Sequence, residues 1–218
     1  MNMGIRDSFN LGWKLDLILK GVADISILEQ YTPERYPQMR KCIENALAQG
    51  KVICETNPLK AAIRNAGLRL MRATGQSPDM TSFPDLLDGI LCKDAEGVPQ
   101  APAGDLFIQG RVDGEGQTDI LLDDLIGYGF TLVGHGIDPL AELDQEDLAF
   151  WKSLSGKSAN IGGELHEASG SKAYENWFAD NNCVAALMRP DFYLFGTAEK
   201  VTDISTLIKN LKAQISSH

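Results

Sequence analysis

Between Gln76 and Gly104 the chain carries Pro78, Pro84, Pro99 and Pro102 together with Gly89, Gly97 and Gly104. No long helix tolerates residues that fix or free the backbone at that density. This stretch separates two different rhythms. Before it, apolar residues recur at helical spacing; after it, short apolar runs alternate with amphipathic segments. The expected organisation is an α/β chain in three parts: a helical segment at 1–75, a linker at 76–104 and an α/β domain at 105–218.

The first part reads as three helices. Residues 2–20 carry Ile5, Phe9 and Trp13 as one stripe and Leu11, Leu15, Ile18 and Leu19 as a second, closed by Gly21 in a favoured position just past a helix end. A helix apolar on two sides needs cover on both, which leads one to expect a further segment ahead of it. Thr32, Pro33 and Glu34 signal a second helix with Tyr36, Met39, Ile43 and Leu47 on its inner face. Asn57-Pro58 opens a third, with Leu59, Ile63, Ala66 and Leu70 inward and Lys60, Arg64, Arg69 and Arg72 outward, a solvated face in preference to a binding patch.

The second part predicts strands at 106–112 and 129–134 with a short helix at 120–126 between them. A helix capped by Asp144 and Asp147 follows, then a weaker strand at 158–161 and a helix around Tyr174, Trp177 and Phe178. Strands at 183–188 and 192–196 flank an Arg189-Pro190-Asp191 turn, and a helix at 202–215 turns Ile204, Leu207, Ile208 and Leu211 inward. The order β-α-β-α-β-α-β-β-α is the outline of a thioredoxin-like domain, with a generic α/β sandwich as the alternative. The loop expected to follow the first strand, Asp113 to Gln117, holds no cysteine, so no CxxC chemistry is written there.

Charge and cysteine usage narrow the function classes. Lys and Arg total 20 against 30 Asp and Glu, a net charge of −10 with no basic run, which disfavours nucleic acid and anionic membrane surfaces as partners. No apolar run reaches the length of a spanning helix, and charged residues interrupt the first twenty positions, so no signal peptide is read and a cytoplasmic location is expected. Cys42, Cys54, Cys92 and Cys183 lack metal-site or dithiol spacing and are read as reduced thiols.

Motifs for chemistry are sparse. His135, His166 and His218 are too far apart for a metal set. His135, at a strand end in Gly134-His135-Gly136, is a candidate general base or an ordinary loop histidine. Neither GxGxxG nor GxxxxGK[ST] occurs, so no dinucleotide or triphosphate cradle is written in these residues.

The first helix is more specific. Asn2, Gly4, Ile5, Asp7, Asn10, Leu11, Trp13, Lys14 and Leu15 coincide with the pattern G-M-N-x-G-I-x-D-A-x-N-L-x-W-K-L, with Ser8 replacing Ala. Leu28, Tyr31, Glu34, Arg35 and Pro37 fit L-x-x-Y-x-x-E-R-x-P. Both patterns resemble those of FAD-dependent aromatic hydroxylases. Residues 104–112, Leu122-Asp123-Asp124 and Leu187-Met188-Arg189-Pro190-Asp191 resemble the thioredoxin-like C-terminal domain of the branch that hydroxylates 3-(3-hydroxyphenyl)propionate.

The resemblance implies a C-terminal portion of such a hydroxylase, with the FAD-binding domain as the missing partner, in cis or in trans, or a homo-oligomer in its place. It implies FAD as cofactor, NADH or NADPH as co-substrate, and transfer of one oxygen atom of O2 to the ring carbon ortho to a phenol on a phenolic acid. It assigns Met1, Asn2 and Met3 to the pyrimidine edge of the flavin and no residue of this chain to catalysis. The portion alone is expected to be inactive. The alternative is a redox-silent thioredoxin-like module for binding or oligomerisation.

Overall fold

The computed structural model describes residues 2–75, 84–114 and 116–216. Three helices come first: α1 (Asn2–Leu19), α2 (Tyr31–Ile53) and α3 (Pro58–Ala73), with a 3-10 turn at Ile25–Gln30 before α2. After the Pro- and Gly-rich stretch come β1 (Arg111–Gly114), β2 (Gln117–Leu121), α4 (Leu122–Ile126), β3 (Thr131–His135), α5 (Gln145–Ser153) and β4 (Lys157–Ile161). The chain closes with β5 (His166–Glu167), α6 (Ala173–Asp180), β6 (Ala185–Met188), β7 (Leu194–Ala198) and α7 (Asp203–Ser216).

The main sheet has the order β4-β3-β6-β7, with β3 and β4 parallel and the other neighbours antiparallel. A small antiparallel sheet, β2-β1-β5, lies beside it. Residues on β3 and β6 are buried on both faces, as central strands between two helical layers must be. Leu132, Leu187 and Phe195 face α5 and α7 (Trp151, Leu154, Leu207, Leu211), while Val133, Ala186 and Leu194 face α6 and α4 (Tyr174, Phe178, Leu122). The alternation follows from the two-residue period of a strand. The expected thioredoxin-like α/β arrangement is present.

The first core layer also contains Trp13 and Leu17 of α1 and Ile27 of the 3-10 turn. The stretch at 84–104 carries core residues of its own. Ile90 joins the same layer, and Leu86, Leu91 and Ala103 pack on Tyr193.

Local readings differ from the structure at the start of α2, on the outer faces of α1 to α3, and around β1 and α4. Helix α2 is not capped by Thr32: the 3-10 turn runs straight into it, so Gln30 already has helical φ and ψ and makes no side-chain cap bond. The cap lies earlier, where the Asp24 carboxylate accepts from the Ser26 N–H. The apolar faces expected to be inward on α2 and α3 are outward. Tyr36, Ile43 and Leu47 are 56%, 54% and 61% exposed, and Leu59, Ile63 and Leu70 exceed 60%. On α1, Trp13 and Leu17 are buried, whereas Ile5, Phe9, Leu11 and Leu15 keep 37–53% of their surface exposed.

The strand expected at 106–112 is regular only from Arg111, because residues 105–107 bond instead to the start of β7 and the turn before it: Leu194 N–H donates to Asp105 and Phe107 N–H to Phe192. The helix expected from Ile120 begins at Leu122, after Ile120 has paired with Val112. The β-α connection of the parallel β3-α5-β4 unit is His135 to Asp144 rather than 113–117, and it too lacks cysteine.

Candidate functional site

Of the three residues assigned to the flavin edge, Met1 lies outside the described residues, Asn2 opens α1 and Met3 is half-buried in its first turn. The first N–H groups of a helix have no intrahelical acceptor and sit at the positive end of its dipole. That turn contains no acidic residue to neutralise it, and a Cβ placed on Gly4 would meet no atom within 4 Å. The donors of this helix end therefore fit an electron-rich heterocycle edge such as that of a flavin. The phosphate-cradling GxGxxG is not among the 218 residues, so the described chain offers one edge of such a site.

Two turns further along α1 the character inverts. Asn10 and Lys14, one helical turn apart on the same face, are buried, as are Glu34 of α2 and Arg189 and Asp191 of the turn between β6 and β7. Arg189 grips Glu34 with both terminal nitrogens, at 3.0 and 2.9 Å, and Asp191 through its Nε and one terminal nitrogen, at 3.0 and 2.7 Å. Lys14 Nζ reaches the same Glu34 carboxylate at 2.6 Å and donates to Asn10 Oδ1 at 2.7 Å. The Asn10 amide then donates to Glu34 and to Asp191, at 2.6 and 2.9 Å.

Two cations and two carboxylates make this cluster neutral. Such a group is retained in a low-dielectric interior only when nearly every donor and acceptor is used. The backbone at Ile90 completes it, its N–H donating to Glu34 at 2.9 Å and its carbonyl accepting from Arg189 at 2.8 Å. Gly89 makes room: a Cβ there would lie 2.0 Å from Glu34 Cγ, and its φ of +104° suits only glycine. Trp13 covers the cluster, with Lys14 and Arg189 at 4.7 and 5.2 Å from its ring and Phe130 edge-on at 5.4 Å.

Burial would raise the Glu34 carboxyl, but Arg189 and Lys14 outweigh it and hold it at about 2. Arg189 is raised despite its burial, by Asp191 and Glu34. Lys14 moves the other way: burial lowers it, Glu34 opposes that, and Arg189 lowers it further. The asymmetry is stoichiometric, because Glu34 has two cations against it whereas Lys14 shares its carboxylate with Arg189.

A second polar layer surrounds the cluster. Arg35 pairs with Asp7 at 2.8 Å and donates to Gln38, which donates to the Tyr193 hydroxyl at 2.8 Å. Arg6 donates to the same hydroxyl at 3.1 Å. Above it, Ile5, Phe9, Leu106, Phe107, Gln109 and Phe192 line an open groove of about 570 Å³ between α1 and the C-terminal half. Its chemistry is that of an apolar, aromatic contact face with a polar floor.

His135 is not part of this assembly. Its ring stacks on Phe178 at 5.2 Å, beside Glu175 and Cys183 in a separate shallow cavity. His166 is exposed on β5, and His218 lies outside the described residues. The Cys183 thiol is pushed up to about 11 by burial, opposite to what a nucleophilic thiolate needs. All four cysteines are free.

Asn10, Lys14, Glu34, Arg189 and Asp191 all fall within the sequence motifs, but no motif shows that they converge. The available signal was the placement of Asn10 and Lys14 on either side of Trp13 in an apolar helix, together with Arg and Asp between two apolar strands.

Comparison with known proteins agrees with these features. Residues 1–46 match the FAD binding domain, and residues 104–214 match the HcaD C-terminal domain. A probable NADH-specific resorcinol 4-hydroxylase of Rhodococcus jostii is 34% identical over 99% of this chain and 40% of its own length. A 3-(3-hydroxy-phenyl)propionate/3-hydroxycinnamic acid hydroxylase of Mycolicibacterium vanbaalenii is 32% identical over 95% of this chain and 40% of its own length. The chain spans about two fifths of the length of these curated relatives.

Among solved structures, the flavin-dependent monooxygenase PieE superposes with a TM-score of 0.69 at 21% identity, over 98% of this chain and 44% of that one. Aklavinone-11 hydroxylase does so with 0.63 at 19%, over 100% and 40%. These likenesses carry the fold. With the HcaD profile covering half of its residues, the chain belongs to the HcaD C-terminal domain family.

Proposed function

We propose that this chain is the C-terminal part of a flavin-dependent monooxygenase that hydroxylates a phenolic acid such as 3-(3-hydroxyphenyl)propionate ortho to its hydroxyl group. NAD(P)H and O2 are its co-substrates, and the chain is inactive alone. In this reading, residues 1–75 belong to the FAD and substrate domain, 76–104 is the linker, and 105–218 is the thioredoxin-like domain. The observation that carries it is α1: FAD-binding-domain sequence folded as a helix with an open, uncountered first turn.

Bound FAD would supply hydride acceptance from the nicotinamide and activation of O2. The contribution of this chain is binding and electrostatics. By the resemblance, Met1, Asn2 and Met3 would hold the pyrimidine edge, where a positive helix end favours negative charge. None of its side chains is assigned a proton-transfer role. The remainder of the flavin pocket comes from a GxGxxG-bearing FAD-binding domain, in cis or in trans.

The test is the visible spectrum of the purified chain after incubation with FAD and desalting, followed by NADH and NADPH oxidation with 3-(3-hydroxyphenyl)propionate and with resorcinol. Each assay is run with and without an FAD-binding domain from a relative. The chain alone is expected to retain no flavin and turn over nothing, and the pair to show a flavin band and phenol-dependent oxidation. Flavin retained by the chain alone, or an inert pair, overturns the reading.

The exposed apolar residues of α2 and α3 favour a second reading, a redox-silent oligomerisation module. Gel filtration separates the two, since a module of that kind self-associates without FAD or a partner and gives no oxidation with one.

A further inference from the structure

The β6–β7 turn and α1 at Asn10 and Lys14 are far apart in sequence, yet one buried polar cluster ties them together. Arg189 is rigidly held: the hairpin closes around it through Arg189 N–H to Tyr193 O at 2.8 Å and Phe192 N–H to Arg189 O at 3.0 Å. Its guanidinium is fully buried and bridges Glu34 and Asp191. Those carboxylates hold Asn10, and Glu34 also holds Lys14. Asn10 is the member of this cluster nearest the N-terminus of α1, which Arg6 and Asp7 also hold through Tyr193 and Arg35. With a rise of 1.5 Å per residue, eight residues separate it from Asn2 by about 12 Å. A tilt of about 5° at Asn10 would therefore move the first turn by about 1 Å, a displacement that costs a reactive site on the order of a hundredfold.

We infer that Arg189 and Asp191 are positioning residues: acting through Glu34, Asn10 and Lys14, the C-terminal turn sets the height and tilt of α1 and hence where its first-turn donors meet the flavin edge. The inference rests on the flavin reading of α1 proposed above. It gives the thioredoxin-like half a role in a reaction for which it supplies no reacting group. Arg189 suits that role because its planar fork engages each of two carboxylates with two parallel N–H donors, which the point charge of a lysine cannot.

The experiment is amide hydrogen exchange of the full chain, comparing wild type with R189M, R189K and D191N and using R40M, in the exposed Arg40–Glu44 pair, as the control. Amides of residues 6–14 are read because earlier ones lack intrahelical acceptors. R189M is expected to accelerate exchange in 6–14 at least tenfold while β3 and α7 keep their wild-type rates. R189K is expected to fall between the two, and R40M to match wild type. If R189M does not fold, D191N, which keeps volume and removes one charge, is expected to give at least a threefold local acceleration. Equal acceleration throughout the chain, or none in 6–14, overturns the inference.

Flavin absorption of the pair formed with an FAD-binding domain separates the two layers of the claim. An altered flavin band or weaker FAD retention in R189M, partly restored in R189K, supports the positioning role. A band unchanged in R189M despite locally faster exchange overturns it. A wild-type pair without flavin overturns the reading of α1 itself and, with it, the flavin role of Arg189, whatever the exchange shows.

Discussion

The main sheet and the helix α2 obey opposite rules of burial. In the sheet, β3 and β6 bury apolar side chains on both faces between two helical layers. Along α2, Glu34, Arg35 and Gln38 are inside while Tyr36, Ile43 and Leu47 face out. Hydropathy predicts the first and fails at the second. The difference is one of partners: a strand is covered by whatever apolar surface lies above it, whereas a buried charge is admitted only where opposite charges and backbone dipoles are already in place.

The largest effect should come from removing one member of the polar interior. Arg189→Met leaves Glu34 and Asp191 with a single cation, and the stability lost in urea denaturation is expected to be about 3–5 kcal/mol. A loss below about 1 kcal/mol would place the cluster with surface ion pairs.

Acid should erode the same interior by a separate route. The folded-state pKa of Glu34 is about 2, below its ordinary 4.5, so its contribution is fully present above about pH 4.5 and is lost as the pH falls toward 2. The lowered value corresponds to about 3 kcal/mol. Denaturation midpoints measured from pH 6 to pH 2 are expected to drop through that window in wild type and to drop less in E34Q.

The backbone that completes the cluster gives the next effect. Gly89→Ala would push a Cβ to 2.0 Å from Glu34 Cγ at a φ of +104°, and a cost of about 2 kcal/mol is expected from strain and displaced contacts. The outer face gives the smallest. Ile63→Glu on α3, at a position 66% exposed, is expected to change stability by no more than about 0.5 kcal/mol. A larger loss would mean that this face is covered in solution.

What was legible in the sequence follows the same division. Strands at 131–135, 157–161, 185–188 and 194–198, and the inner face of α7, follow from short apolar runs and helical periodicity. The Asp144 cap, whose carboxylate accepts from the Asp147 N–H at 2.8 Å, follows from local hydrogen-bonding chemistry. The α2 start at Tyr31 was hidden because a preceding 3-10 turn removes the need for a cap. The outward apolar faces of α2 and α3 were hidden because periodicity reports a stripe without saying what covers it. The motifs located Asn10, Lys14, Glu34, Arg189 and Asp191 individually. Their convergence depends on contacts across 155 to 181 residues of sequence, which no local pattern encodes.

The Arg189–Glu34 contact is expected to make the C-terminal turn and the N-terminal helices energetically one unit. A double-mutant cycle of Glu34→Gln and Arg189→Met, read by urea denaturation, measures it directly. A coupling of at least about 2 kcal/mol is expected, because removing both partners leaves less uncompensated charge than removing either one. A coupling below about 0.5 kcal/mol, with the two losses simply adding, would contradict it.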